Sequence, residues 1–72
     1  GRLQAWAKAN ASRYEVSTVD GVKLTFRDAS WLLLRASGTE PLLRIYAEGK
    51  SPAVVHALLR MGREIGRQVT QE

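Results

Sequence analysis

The sequence predicts an α+β domain in which a four-stranded antiparallel sheet has its helices packed on one face. Three features indicate this fold. Helical spacing of apolar residues occurs near both ends of the chain, four short segments of strand character lie between those helices, and tight-turn residues separate the first three strands. Strands that follow one another through tight turns pair antiparallel, and helices that share one face of such a sheet complete a two-layer domain.

The chain has 72 residues, which we assign to a single domain at residues 1–72. A chain this short buries only about 60% of the surface that it exposes when unfolded. It starts without Met, on residues typical of the tail of a helix, so we expect a fragment of a longer protein. It has no cysteine, and its single His and scattered carboxylates predict no metal site. With no long apolar run and no signal-peptide pattern, we expect a cytoplasmic protein with no membrane partner.

The first half of the chain predicts a helix and a hairpin. Residues 3–11 are rich in helix formers, and Trp6 within them is expected to anchor this helix in the core or against another domain. Residues 14–19 and residues 22–27 alternate between apolar and polar side chains, as half-buried strands do. The Asp-Gly pair at positions 20–21 predicts a two-residue turn between these strands.

Two further strands follow. Asp28 and Ala29 predict a second tight turn, which leads into a strand at residues 31–36. That strand is apolar on both faces, so we expect it to lie in the centre of the sheet. Residues 42–48 alternate again and form the fourth strand.

The last helix has a clear start. Ser51 is expected to cap it, with Pro52 at its first position, and the helix should run to about Val69. Gly62 and Gly66 each lower the helix propensity by about 1 kcal/mol relative to Ala. Because both lie on the apolar face, we expect the helix backbone to approach the sheet closely there. That face consists of Val55, Leu58, Leu59, Gly62, Ile65, Gly66 and Val69.

The segment between the last two strands reads Arg-Ala-Ser-Gly-Thr-Glu-Pro at positions 35–41. The guanidinium of Arg35 matches phosphate oxygens two at a time. Ser37 and Thr39 add hydroxyl donors, and Gly38 allows close approach of the backbone, whose successive N–H groups can form an anion site. This composition predicts a phosphate-binding loop. Ser, Gly, Thr and Pro are also common turn residues, so a turn without a ligand remains an alternative.

Positions 35–48, from this segment through the following Leu-Leu-Arg-Ile-Tyr-Ala-Glu, resemble the C-terminal phosphate-binding motif of the α-D-phosphohexomutase superfamily. That superfamily includes phosphoglucomutase, phosphomannomutase and phosphoglucosamine mutase. Residues 20–23 and Trp31 also match a hairpin and an apolar strand of the family, so the resemblance covers most of the chain. Ala36 departs from the proline of many members but removes no donor. The resemblance implies a TATA-binding-protein-like arrangement of the sheet and helices.

The resemblance also implies a role for the motif. It implies that the substrate phosphate that is not being transferred is bound by Arg35, Ser37, Gly38 and Thr39. Arg44 is expected to add a second positive charge, and the alternative is that Arg44 pairs with Glu40 or Glu48 on the surface. Glu40 itself is expected to orient an arginine or to face solvent, because phosphate repels a carboxylate.

By the same resemblance, the full-length enzyme interconverts hexose 1-phosphate and hexose 6-phosphate through a bisphosphorylated intermediate. Its phosphorylated serine, its magnesium loop and its sugar-binding loop lie in preceding domains, and none of these motifs occurs in this chain. The resemblance therefore implies no catalytic residue and no metal ligand here, with Mg²⁺ bound elsewhere in the full-length enzyme. We expect the fragment to be inactive and its partners to be the phosphosugar and the preceding domains.

The charge of the chain leaves two other interpretations open. A net charge of +4 suits an anionic ligand, whether a sugar phosphate or a nucleic acid. Arg60, Arg63 and Arg67 lie at near-helical spacing, which we interpret as a solvated helix face, with nucleic-acid binding as the alternative. His56 is interpreted as a surface residue. RNA-binding sheets display interleaved aromatic residues, which we do not expect here, so we predict no nucleic-acid partner. The third interpretation is a structural domain without a ligand.

Overall fold

A computed structural model describes residues 2–19, 21–36 and 43–70 of the chain. The elements in order are α1 (Arg2–Asn10), β1 (Glu15–Ser17), β2 (Val22–Thr25), β3 (Trp31–Ala36), β4 (Leu43–Glu48) and α2 (Pro52–Thr70). Neighbouring strands pair antiparallel in one sheet with the order β1-β2-β3-β4. The predicted α+β fold is confirmed, and β3 takes the central position that its apolar sequence indicated.

The core lies between the sheet and the two helices. Alternate residues of the central strands point to it, and Leu24, Leu32 and Leu34 have no exposed surface. Both helices contribute apolar residues to this layer, and α1 also contacts α2. The opposite face of the sheet carries no helix of the described chain. The buried apolar residues are Leu3, Ala7, Val22, Leu24, Leu32, Leu34, Leu58, Ile65 and Val69.

Helix α2 begins and packs as its sequence predicts. The Oγ of Ser51 accepts a hydrogen bond from the N–H of Val54 at 3.3 Å, which confirms the N-cap. A Cβ placed on Gly62 would lie only 2.6 Å from Cγ2 of Ile45, and one placed on Gly66 would lie 3.1 Å from Cδ2 of Leu43. The predicted close approach of the helix to β4 is therefore confirmed, and it is tightest at Gly62.

The connection between β1 and β2 differs from the prediction by one residue. Val16 pairs with Leu24, whereas a two-residue turn at positions 20–21 would place Ser17 opposite Leu24. The observed register corresponds to a three-residue connection, and Gly21 at its end has a left-handed φ of 85°. The predicted two-residue turn is therefore wrong. Burial accounts for the difference, because a slip of one residue would exchange Val16 for Ser17 on the face that packs against the helices.

The predicted turn after β2 is confirmed. The N–H of Phe26 donates to the carbonyl of Ser30 at 2.9 Å, and Ala29 adopts a left-handed φ of 71°. The Asp28 carboxylate accepts hydrogen bonds from the hydroxyl of Ser30 and, at 3.0 Å, from its backbone N–H. These hydrogen bonds lower the pKa of Asp28, the hydroxyl contributing most. The turn therefore holds a carboxylate in its charged form.

Trp6 anchors α1 within this domain. Its ring stacks on Tyr14 with the ring centroids 6.3 Å apart, and Tyr14 meets Phe26 edge to face at 6.0 Å. The indole Nε1–H of Trp6 donates to Oε1 of Gln68 on α2 at 3.1 Å. These contacts satisfy the prediction of a core anchor. Neither helix is long and apolar enough to cross a membrane.

Candidate functional site

Two of the predicted site residues lie side by side in the sheet. Arg35 is the penultimate residue of β3, Arg44 is the second residue of β4, and the two are direct cross-strand partners. Directly opposed residues of an antiparallel pair project to the same face. Because the neighbouring Leu34 points into the core, both arginines lie on the face without helices. The structure thus brings two guanidinium groups together at one end of the sheet.

The remaining predicted site residues fall between these two strands. Ser37, Gly38 and Thr39 lie outside the described residues, as do Glu40 and Pro41. The assignment of these residues to phosphate stays a prediction. What the structure adds is the position of the two strand ends on either side of this segment, since β3 ends at Ala36 and β4 begins at Leu43, next to the arginine pair.

The open face of the sheet, which we define by its outward-pointing residues on β1 to β4, has a graded composition. Its middle row holds Leu33 and Tyr46, and Trp31 lies in the row at one end, all three partly exposed. Two carboxylates lie at the end away from the arginine pair. In cross-strand rows, this face consists of Glu15, Thr25, Trp31 and Glu48, then Ser17, Lys23, Leu33 and Tyr46, then Arg35 and Arg44. The positive end is therefore the end that adjoins residues 37–42.

Tyr46 lies beneath Arg35. The guanidinium carbon of Arg35 is 5.8 Å from the centroid of the Tyr46 ring, within the range of a cation–π contact. Tyr46 retains 39% of its exposure, and Arg35 is half-buried. We did not select Tyr46 from the sequence. Its alternation with Arg44 placed it on the same side of β4, but only the pairing of β3 with β4 shows that Arg35 shares that side.

The connection between β1 and β2 supports Arg35 from another direction. A Cβ placed on Gly21 would lie 3.3 Å from the Cα of Arg35 and 2.5 Å from the carbonyl oxygen of Leu34. A real Cβ does not come within 2.5 Å of a carbonyl oxygen, so only glycine fits here. The positive φ of Gly21 also favours glycine at this position. The backbone of this connection therefore lies directly against the backbone that carries Arg35. Val19, in the same connection, is 94% exposed.

The surroundings of Arg44 bear on whether it contacts phosphate or pairs with a carboxylate on the surface. Glu48 is four residues further along β4 on the same face, about 13 Å away along the backbone. Among the described residues Arg44 forms no ion pair with Glu48, and Glu40 lies outside them, so the choice between the two interpretations stays a prediction. Two like charges on directly paired residues repel each other, and a bound anion removes that repulsion. The arrangement is chemically suited to an anion with several oxygens.

The open face of the sheet displays aromatic residues, so the expectation that it has none is wrong. Trp31 and Tyr46 are aromatic residues on the open face, which we did not expect from the sequence. The Nζ of Lys23 lies 4.8 Å from the centroid of the Trp31 ring, so a cation of the domain itself contacts this ring. The carboxylates of Glu15 and Glu48 border the same row. This acidic row is unfavourable for a polyanion.

The second group of basic residues is separate from the arginine pair. Arg60, Arg63 and Arg67 are exposed on α2, which packs on the other face of the sheet, and His56 is exposed there as well. Arg67 forms an ion pair with Glu64 at 2.9 Å. These positions agree with the interpretation of a solvated helix face. Across the described ranges, no group of three His, Asp or Glu side chains is placed to hold a metal ion.

Comparison with known proteins identifies the family. The family profile described as "Phosphoglucomutase/phosphomannomutase, C-terminal domain" matches residues 2–65. A probable phosphoglucosamine mutase of Methanosphaera stadtmanae is 46% identical over 50 residues, 69% of this chain and 11% of that protein. A phosphoglucomutase/phosphomannomutase of Thermococcus kodakarensis is 44% identical over 54 residues, 75% of this chain and 12% of that protein.

Another relative aligns over more of this chain and is named for a different sugar. A phosphopentomutase of Thermococcus kodakarensis is 32% identical over 65 residues, 90% of this chain and 14% of that protein. The chain therefore spans about one seventh or less of the length of these relatives. The resemblance inferred from residues 35–48 is confirmed at the level of the family. This chain belongs to the phosphoglucomutase/phosphomannomutase family and matches the C-terminal domain of that family.

Proposed function

We propose that this domain binds the phosphate group of a phosphorylated sugar, namely the phosphate that is not being transferred, within a sugar-phosphate mutase. The observation that carries the proposal is the pairing of Arg35 with Arg44 on one face, at the end of the sheet that residues 37–42 join. Arginine forks bind phosphate oxygens through paired hydrogen bonds. Two of them on adjacent strands form a rigidly spaced receptor for one anion.

The segment between the arginines completes the proposed site. Ser37 and Thr39 supply hydroxyl donors, while Gly38 and Thr39 supply backbone N–H groups to the same phosphate. A site of this kind recognises the phosphate and leaves the sugar uncontacted. That property fits a reaction in which the sugar binds in two orientations and presents a different phosphate each time, as an interconversion through a bisphosphorylated intermediate requires.

The same property fits the range of substrates in the names of the relatives. These names include phosphoglucosamine mutase, phosphoglucomutase/phosphomannomutase and phosphopentomutase. We assign hexose 1-phosphate and hexose 6-phosphate to the protein as its substrates, as the motif of residues 35–48 implies. The choice among sugars then belongs to parts of the enzyme that contact the ring.

The remaining chemistry belongs to the preceding domains of the polypeptide, which we propose as the partners of this one. They supply the phosphorylated serine and the Mg²⁺ site, and the described residues of this chain contain no cluster suited to that ion. Phosphoryl transfer depends on positioning and on charge stabilisation, so a domain that holds one phosphate and closes the cleft contributes to the rate. The site of action is the cytoplasm.

A second candidate function follows from the aromatic residues on the open face. Trp31 and Tyr46 provide surfaces on which unpaired bases stack, and Lys23 lies nearby. A nucleic acid would engage the whole open face, whereas a sugar phosphate engages only the arginine end. Amide shifts confined to residues 35–44 therefore distinguish the sugar phosphate from both a nucleic acid and a structural domain without a ligand.

The proposed role is tested in the full-length mutase that carries this domain. Arg35→Ala should lower kcat/KM about 10- to 100-fold, because a charged hydrogen-bonding partner of the substrate is lost. Arg60→Ala on the exposed face of α2 is the matched control and should leave kcat/KM unchanged. Equal activity of the two variants would contradict the proposal.

The 72-residue chain alone should show no turnover, and measurable mutase activity from it would contradict the assignment of the chemistry to the preceding domains.

A further inference from the structure

We infer that Tyr46 is a positioning residue, which holds the guanidinium of Arg35 in the orientation that receives a phosphate. The inference rests on the proposed function of Arg35. It adds a residue that contacts no substrate and acts through the arginine above its ring. The contact is direct, with the guanidinium carbon 5.8 Å from the ring centroid.

The sheet register explains why these two side chains meet. Tyr46 is paired with Leu33, and Arg35 lies two residues further along β3 on the same face. Such diagonal neighbours are separated by about 7–8 Å between backbones, a gap that an aromatic ring and a long side chain can bridge. Tyr46 keeps 39% of its exposure, so its ring forms a platform on the open face.

The Tyr46 ring counteracts the repulsion between Arg35 and Arg44, which are direct cross-strand partners. The repulsion between these paired cations favours conformations in which the guanidinium groups turn away from each other. The negative face of the Tyr46 ring attracts the Arg35 guanidinium and opposes that movement. A guanidinium that is already held loses less conformational freedom when the phosphate binds, and the affinity is higher for that reason.

The backbone of Arg35 is held as well. Gly21 lies so close that a Cβ at this position would stand 3.3 Å from both the Cα and the Cβ of Arg35. The start of the arginine side chain is thus placed by the β1–β2 connection and its far end by Tyr46. This support from both neighbours of β3 is present in the domain before any ligand binds.

The test is a double-mutant cycle in the 72-residue chain, with glucose 6-phosphate as the probe and amide shifts as the readout of affinity. Tyr46→Leu should weaken binding about two- to fivefold, the loss of one cation–π contact. Tyr46→Phe keeps the ring and should bind like the unmodified chain. In the Arg35→Ala background, Tyr46→Leu should have no further effect. Trp31→Leu, an aromatic change at the far end of the open face, is the control and should leave the affinity unchanged.

A second readout needs no phosphate. The Nε–H resonance of Arg35 should move on Tyr46→Leu and stay in place on Tyr46→Phe, because the ring above which it lies is removed only by the first change. If Arg35→Ala leaves the affinity unchanged, the proposed function is wrong. If Arg35→Ala weakens binding but Tyr46→Leu does not, or Tyr46→Phe weakens binding as much as Tyr46→Leu, the positioning role of Tyr46 is wrong while the function stands.

Discussion

Gly62 of α2 packs closely against both strands that carry the arginine pair. Replacing Gly62 by Ala adds a methyl group 2.6 Å from Cγ2 of Ile45 and 3.2 Å from Cδ1 of Leu32. The first distance is too short for two carbon atoms, and Cγ2 of Ile45 is attached directly to a stiff, branched Cβ. The helix and β4 must therefore move apart.

The magnitude follows from two opposing effects. Ala gains about 1 kcal/mol of helix propensity over Gly. Overpacking a close contact costs about 1–3 kcal/mol. Gly62→Ala should therefore lower the free energy of unfolding by as much as about 2 kcal/mol. Gly66 is the matched control on the same helix face, since its added Cβ would meet only Cδ2 of Leu43, the mobile end of a side chain, at 3.1 Å. We expect Gly66→Ala to gain about 0.5–1 kcal/mol in stability, most of the propensity difference.

The assay is urea unfolding of both variants, followed by circular dichroism. The Gly62 variant should unfold at a urea concentration about 0.5–3 M below that of the Gly66 variant, because the slope for a domain this small is about 1 kcal/mol per molar. The difference in Tm should be at least about 2 °C. If the two Ala variants unfold together, or the Gly62 variant is the more stable, the tight packing of α2 on β4 is refuted.

Two further predictions concern the turn between β2 and β3. Ala29 has a left-handed φ of 71°, so Ala29→Gly should raise the free energy of unfolding by about 0.5–1 kcal/mol, which thermal unfolding measures. The hydrogen bonds from Ser30 lower the folded-state pKa of Asp28, so their stabilisation is complete above the ordinary Asp pKa of about 4 and is lost as the pH falls through the lowered value. Ser30→Ala should therefore lower the free energy of unfolding at pH 7, and the difference from the unmodified chain should be smaller at pH 2. A difference that does not change with pH would contradict the role of these hydrogen bonds.

Much of the fold was predictable because single elements carry strong local signals. The apolar residues of β2 repeat every second position, as in a strand, and those of α2 repeat at helical spacing. The Ser-Pro pair marks where α2 begins. The β1–β2 register was not predictable from the Asp-Gly pair, since burial of Val16 against the helices outweighed the preference of the turn. Local turn chemistry and burial disagreed there, and burial of the apolar side chain was the larger effect.

The site was predictable in its residue types and less so in its geometry. Arg35 and Arg44 were selected from the sequence, but their direct pairing depends on how many residues connect β3 to β4 in register, which composition does not reveal. The strand β3 is apolar on both sides, so no pattern told which of its residues face the helices. For the same reason, the aromatic residues of the open face and the contact between Tyr46 and Arg35 emerged only from the pairing of whole strands.

The most direct test of the phosphate-binding role is a titration of the isotope-labelled chain with glucose 6-phosphate, followed by amide shifts. We predict a dissociation constant of about 1 mM or weaker, because one anchored anion offers few contacts. The shifts should centre on residues 35–44, glucose should produce none, and Arg35→Ala should weaken binding at least about tenfold. Shifts centred on the exposed arginines of α2, or no shifts up to tens of millimolar, would contradict the assignment of phosphate binding to the arginine pair of this domain.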